Sequence, residues 1–359
     1  MTAVISTDDL RAAVAAGLMS EAQAASLTAL VHSRRSAREN LAPGDEPFEL
    51  FKGFNEIFIV VGLVILTTGW VSALAAWYAT SLASSVVDPF GELMRVCLLG
   101  AVILWGVSEY FVRRRRMVAP AITLSLLWAG NAAVGFAAAF AEIFMVAQAD
   151  YGSLVLPLAL ATGTLGLYWL HFRVPFAMAM IALGLFATAM VFTAARAGVP
   201  ETPADLFLLS AGGPFAWITL LLGTLVFAVA MAFDMSDPHR VTRRAAQGFW
   251  LHVVAAPVLV NTVALTLLEQ ASAQANLLLA LFLALIAVVA IVIDRRSFLI
   301  AGVGYCVALA GTVFGGEGSA FTVLALGVVL LLLGAFWERI RARLLRLLPL
   351  PLHRLPPAA

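Results

Sequence analysis

DMSDPHRVTRRAAQGFWLHVVAAPVLVN, Asp234 to Asn261, is the stretch on which the reading of this chain turns. Its first half is the longest charged break inside an otherwise hydrophobic run. Its second half opens the most polar of the apolar segments. Only helices and closed barrels satisfy their own backbone polar groups in lipid, so a charged break of this kind reads as the connection between two spans. Outward from it in both directions, apolar runs alternate with short polar turns. Each run is close to the roughly 20 residues that one spanning helix needs.

Composition agrees. Hydrophobic residues make up 62% of the 359 residues and charged residues 12%. A soluble domain carries about 25% charged residues, so most of this chain's solvent must be lipid. The net charge is only +1, and no nucleic-acid partner is expected. Cys97 and Cys306 both fall in apolar runs, which favours buried inert thiols over a disulfide framework. The first 50 residues lack the basic start, apolar stretch and cleavage site of a signal peptide.

The fold class expected is an all-α polytopic membrane bundle of about ten spans, near 57–79, 94–112, 119–141, 152–171, 175–195, 214–233, 249–268, 276–293, 298–315 and 319–337. Charge gives an independent check. With the N-terminus placed in the cytoplasm, all but Arg95 and Arg196 of the 22 basic residues fall inside, as expected for loops that translocate poorly when basic. The outer loops carry Asp88, Glu92, Asp150, Glu201, Asp205, Glu269 and Glu317 instead. Both termini are therefore expected in the cytoplasm, and the Arg-, Ala- and Leu-rich usage suggests a bacterial inner membrane.

Three segments follow from this. Residues 1–45 are a cytoplasmic helical hairpin and linker. A first helix over Asp9–Ala16 ends at Gly17, and Ser20 to Gln23 forms a capping box that opens a second helix. Residues 46–337 are the bundle, entered through Phe48, Phe51, Phe54 and Phe58 at interfacial spacing. Residues 338–359 are a basic amphipathic tail on anionic headgroups, stopped at Pro349. Four hairpins turn on basic loops: Arg113–Arg116, His171–Arg173, Asp234–Arg244 and Asp294–Arg296. Duplication or ordinary hairpin grammar would give this loose repeat.

Ionisable groups inside spans are functional by default. Glu109 precedes Arg113 by one helical turn and suits an ion pair or a proton or cation site. His252, Pro257 and Asn261 share the seventh span, and Asn131 is a second buried amide. Amides of this kind bond helix to helix or line a cavity, so Glu109, Asn131, His252 and Asn261 form the candidate polar lining. Arg113, Arg114, Arg115, Arg116, Arg240, Arg243 and Arg244 are candidate contacts for anionic lipid or a partner. Asp234, Asp237 and His239 invite a metal reading. The simpler account makes Ser236 or Asp237 an N-cap, with Pro238 first in the helix and Arg240, Arg243 and Arg244 on one helical face. No metal or other cofactor is expected. HExxH, P-loop, GxSxG, CxxC and DDxxD motifs are all missing.

Leu10, the run Ala16-Gly17-Leu18-Met19-Ser20-Glu21-Ala22-Gln23 and the repeated basic turns resemble a group of bacterial multi-span membrane proteins of unknown function, which carry a short N-terminal helical hairpin. The N-terminal motif also looks like short oligomerisation segments. The resemblance implies no activity. The sequence thus points first to a transporter or channel-like protein for a small solute, ion or lipid. A non-catalytic envelope scaffold comes second, docking a membrane partner or a second copy through its head and basic loops. No enzymatic role is expected.

Overall fold

The computed structural model describes residues 7–20, 23, 24, 27, 55–83, 89–142, 144–148, 150–238, 240, 242–313, 319–347 and 355. They fall in two units, residues 1–47 and 48–359. In the first, α1 (Thr7–Ala15) stops at Gly17, which takes φ +71°. The Gly17 N–H donates to the Val14 carbonyl and the Leu18 N–H to the Ala13 carbonyl, both at 3.0 Å. These bonds satisfy carbonyls left over at the helix end, and glycine takes the left-handed turn without a Cβ clash. The expected capping box is present. Ser20 N–H donates to Gln23 Oε1 at 2.9 Å, and Gln23 N–H donates to Ser20 Oγ at 3.2 Å. The remainder of the second head helix and the entry residues Phe48, Phe51 and Phe54 lie outside the described residues.

The second unit is a bundle of helices. They are α2 (Asn55–Ala83), α3 (Pro89–Ser108), α4 (Val118–Phe140), α5 (Val155–Phe172), α6 (Pro175–Ala197) and α7 (Phe215–Ser236). Then come α8 (Arg243–Glu269), α9 (Ala273–Ile293), α10 (Ser297–Val313) and α11 (Ser319–Leu347). The chain is an all-α, multi-pass membrane bundle; among the described residues eight helices, α2 to α9, are long and apolar enough to cross a bilayer. α10 is apolar but only 17 residues long. α11 runs for 29 residues through non-helical angles at Phe336. The C-terminal basic segment continues α11 beyond a kink as far as Leu347. Arg341 is buried there, not spread on a headgroup layer, whereas Arg343 and Arg346 are exposed.

α8 is the centre of the bundle and packs against α6, α7, α9 and α10. Half of its apolar window (50%) is buried, against 6% for α2. Small residues allow this. Ala255, Ala256 and Ala264 are fully enclosed, and lipid-embedded helices approach closely where such residues meet. On α7, a Cβ added at Gly223 would lie 2.7 Å from Val258 Cγ1, so glycine sets that helix spacing. The stretch that organises the sequence thus also organises the packing.

The basic turns gather at one end of the bundle. In each, one non-glycine residue takes a left-handed φ: Arg116 at 54°, Arg173 at 53°, Arg240 at 52° and Asp294 at 55°. Such a conformation costs about 1 kcal/mol. Local bonds offset it, as where Arg173 N–H donates to the Trp169 carbonyl at 2.8 Å and Arg295 N–H to the Ala290 carbonyl at 2.9 Å. Shared turn geometry is a sufficient physical reason for the likeness among these hairpins.

Candidate functional site at the basic end

α7 carries its last apolar turns straight into Asp234, which therefore sits inside the bundle and not in a solvated loop. Its carboxylate is 7% exposed at the side chain, as is the facing Arg295. Arg295 grips it with two donors: Nε donates to Oδ2 at 3.0 Å, and Nη2 donates to Oδ1. Nη2 also donates to the Ala245 carbonyl at 2.9 Å. From α8, His252 places Nε2 3.0 Å from Asp234 Oδ2. The imidazole is fully buried, edge-on to Phe227 and Phe298 at 5.5 and 5.7 Å between centroids. Among the described residues its buried Nδ1 has no hydrogen-bond partner. Gly248 makes room for all of this. A Cβ there would stand 2.3 Å from Asp234 Oδ1.

A second layer of charge lies beside the first. Arg240 donates to Asp294 Oδ2 at 2.7 Å, and its Nη2 reaches the carbonyls of Asp294 at 2.9 Å and Ile293 at 3.3 Å. Trp337 Nε1 donates to Asp294 Oδ1 at 2.7 Å. Arg341 reaches the Ile291 carbonyl at 3.1 Å and that of Val292 at 3.4 Å. Two arginines thus cap the C-terminus of α9, where orphan carbonyls and the helix dipole favour cations. The kink at Phe336 comes immediately before Trp337. Burial first, and then the nearby Arg295 charge, pull the Arg240 pKa below its ordinary range, with Asp294 and Asp234 acting the other way.

Arg240 and Arg295 both line a cavity of about 310 Å³ between the starts of α4, α6 and α8. Its other walls are apolar and include Phe176, Phe249 and Trp250. The Arg295 guanidinium lies 5.8 Å from the Phe249 ring centroid.

Among the described residues, no hydrogen bond, ion pair or ring contact joins any two of the four expected lining residues. Glu109 lies where α3 passes into a π-helical turn, Glu109–Arg114. It pairs with Arg113 at 3.4 Å, as its spacing suggests, and also with His171 of α5. Trp105 covers that imidazole at 4.9 Å. Asn131 donates from Nδ2 to the Cys97 carbonyl at 2.8 Å, which ties α4 to α3. His252 belongs to the Asp234 network. Asn261 is half-buried farther along α8.

Several local readings are corrected. Neither Ser236 nor Asp237 is an N-cap, because α7 extends through Ser236. Thr242 caps α8, its Oγ1 accepting from Arg244 N–H at 3.2 Å, while Asp237 Oδ2 accepts from Thr242 N–H and Oγ1 at 2.8 Å. Arg240 is in the turn and not on a shared helical face, held by Asp294. Arg243 is buried, and Arg244 is exposed. Arg113 to Arg116 are all exposed, with Arg115 over the Tyr110 ring at 5.5 Å. His239 lies outside the described residues, and among those described no three metal-binding side chains gather.

Sequence reasoning missed Asp234, Arg295 and Asp294 as a site, and treated His171 as part of a turn. The available signal was acid on the basic side: Asp234, Asp237, Asp294 and Glu338 stand among the arginines where the charge rule needs none. Compared with protein-family models, curated proteins and solved structures, the chain matches none.

Proposed function

We propose that the chain is a ten-span protein of a bacterial inner membrane, both termini cytoplasmic, that transports a small solute, ion or lipid. α10 and α11 supply the two spans beyond the eight long apolar helices, and the basic end then faces the cytoplasm, as positive loops require. The observation that carries the transport reading is the Asp234–His252–Arg295 network, enclosed where the most buried span begins. Ionisable groups are costly at such positions, and those retained there mark solute or proton paths. A solute that competes for Arg295 would exchange with the Asp234 carboxylate that holds it. The residues are given no catalytic role.

A thermal-shift screen of small organic and inorganic solutes tests this reading. At least one solute is expected to stabilise the wild-type protein, with a shift that His252→Gln removes. A screen without a stabilising solute, or an equal shift in the variant, counts against it.

The scaffold reading has one observation in its favour. α2 leaves nearly all of its length uncovered, including Phe58, Ile65 and Leu66, a face open to a partner helix as well as to lipid. Deleting residues 1–45 should then leave insertion intact and disrupt a co-purifying complex. Survival of the complex would remove the head as the docking element.

A further inference from the structure

The cavity at the basic end has a chemistry of its own. Two guanidinium groups border it, and three helices, α4, α6 and α8, begin at it through Val118, Pro175 and Ala245. Helix N-termini carry partial positive charge and favour anions. The two acids that face these arginines already hold them, Asp234 on Arg295 and Asp294 on Arg240. At the start of α4, Glu56 Oε2 accepts from the Ala119 N–H at 3.2 Å, while among the described residues its buried Oε1 has no partner.

An arginine has five N–H donors. Among the described residues, the bonds made by Arg295 engage Nε and Nη2, which leaves the Nη1 pair. Those of Arg240 engage Nη1 once and Nη2 twice, which leaves Nε–H and one Nη1–H. The two cations also repel each other, which adds to burial in lowering the Arg240 pKa. An anion placed between them would relieve that repulsion. The rest of the wall is aromatic and aliphatic and would not suit a fully hydrated ion. The volume of about 310 Å³ lies at the lower end of small-molecule sites, enough for a head group and the first part of a chain.

We propose that this cavity binds an anionic amphiphile, its phosphate or carboxylate head between Arg240 and Arg295 and its apolar portion along Phe176, Phe249 and Trp250. The inference rests on the basic end being the working site of the protein, but not on transport. A phospholipid of the surrounding leaflet and a soluble organophosphate present the same head chemistry.

Native mass spectrometry of the delipidated full-length protein separates these sources. Dioleoyl phosphatidylglycerol, dioleoyl phosphatidylcholine, hexyl phosphate and inorganic phosphate are added in turn. A single phosphatidylglycerol or hexyl phosphate is expected to stay bound, and phosphatidylcholine is not. Arg240→Gln should weaken retention about tenfold or more, the scale of a lost hydrogen bond to a charged group. Ala246→Phe, which fills the cavity without touching the ion pairs, should weaken it similarly. Arg113→Gln, a charge lost at the same end but outside the cavity, should not. Retention of phosphatidylglycerol that hexyl phosphate cannot displace assigns the site to lipid. Retention of hexyl phosphate alone assigns it to a soluble amphiphile. Equal retention of phosphatidylcholine, binding of inorganic phosphate alone, or unchanged binding in both Arg240→Gln and Ala246→Phe would overturn the proposal. If these fail while a solute still stabilises the protein in a His252-dependent way, the transport reading survives and only the assignment of this cavity is lost.

Discussion

Replacing Asp234 by alanine tests the buried network most sharply. The change removes the acceptor for Arg295 Nε, Arg295 Nη2 and His252 Nε2 at once. It leaves a guanidinium that is 7% exposed with the Ala245 carbonyl as its remaining hydrogen-bond acceptor. Breaking one side of a buried ion pair costs about 3–5 kcal/mol, because the stranded charge keeps its desolvation penalty. At roughly 2 °C per kcal/mol for a larger chain, the melting temperature should fall by about 6–10 °C. Cys97 and Cys306 are free thiols, the first of them buried, so a thiol-reactive dye reads the loss of structure directly. Adding Arg295→Met to Asp234→Ala removes the stranded charge and should recover about half of the loss, since apolar replacement of a whole buried pair is often near neutral. An Asp234→Ala shift below about 2 °C, the size expected of an exposed pair, would refute the reasoning. So would a double variant whose loss is the sum of the two single losses.

Other outcomes follow from the same geometry. Gly248→Ala places a Cβ 2.3 Å from Asp234 Oδ1 and 3.2 Å from the Ala230 carbonyl; it should cost nearly as much as Asp234→Ala in the same dye assay, and a neutral result would mean that α7 and α8 separate without disturbing the pair. Asn131→Ala removes the bond to the Cys97 carbonyl and should cost about 1 kcal/mol, the usual worth of a hydrogen bond between membrane helices, with no effect on solute binding; a loss of binding at normal stability would restore Asn131 as a lining residue. Away from the spans, backbone and hydroxyl donation by Thr202 hold the Asp205 carboxyl below its ordinary value of 3.8. A depressed folded-state pKa means that the capping box contributes fully above the unfolded value and fades as pH falls through the folded one. An NMR titration of the Asp205 carboxyl carbon should therefore have its midpoint below 3.8, and a midpoint at or above that value would contradict the capping geometry.

Much of the fold was legible because lipid imposes it. The expected span 214–233 corresponds to Phe215–Ser236, and 175–195 to Pro175–Ala197. Apolar runs of that length have no other stable arrangement in a bilayer. Where the boundary was missed, a charged helix end was the reason. The helix expected to start at Pro238 starts instead at Arg243, so Arg240 falls in the turn, because Thr242 caps α8 from a turn stabilised by Asp237. The basic segment after 337, read as an extension of the last span, does continue α11 as far as Leu347. The candidate site was far less legible. Asp234 and Arg295 are 61 positions apart, and Glu109 and His171 are 62 apart. No helical period links residues so distant. Only the placement of acids on an otherwise basic side hinted that these arginines had internal partners.

The most direct test of the working role given to Asp234, His252 and Arg295 is proton movement in proteoliposomes loaded with a pH-sensitive dye and challenged with the stabilising solute. The wild-type protein should move protons when the solute is added. His252→Gln, with unchanged melting in the absence of solute, should not. Equal proton movement in both proteins, or none in a wild-type protein that binds the solute, would mean that the network holds the helices together and does no more.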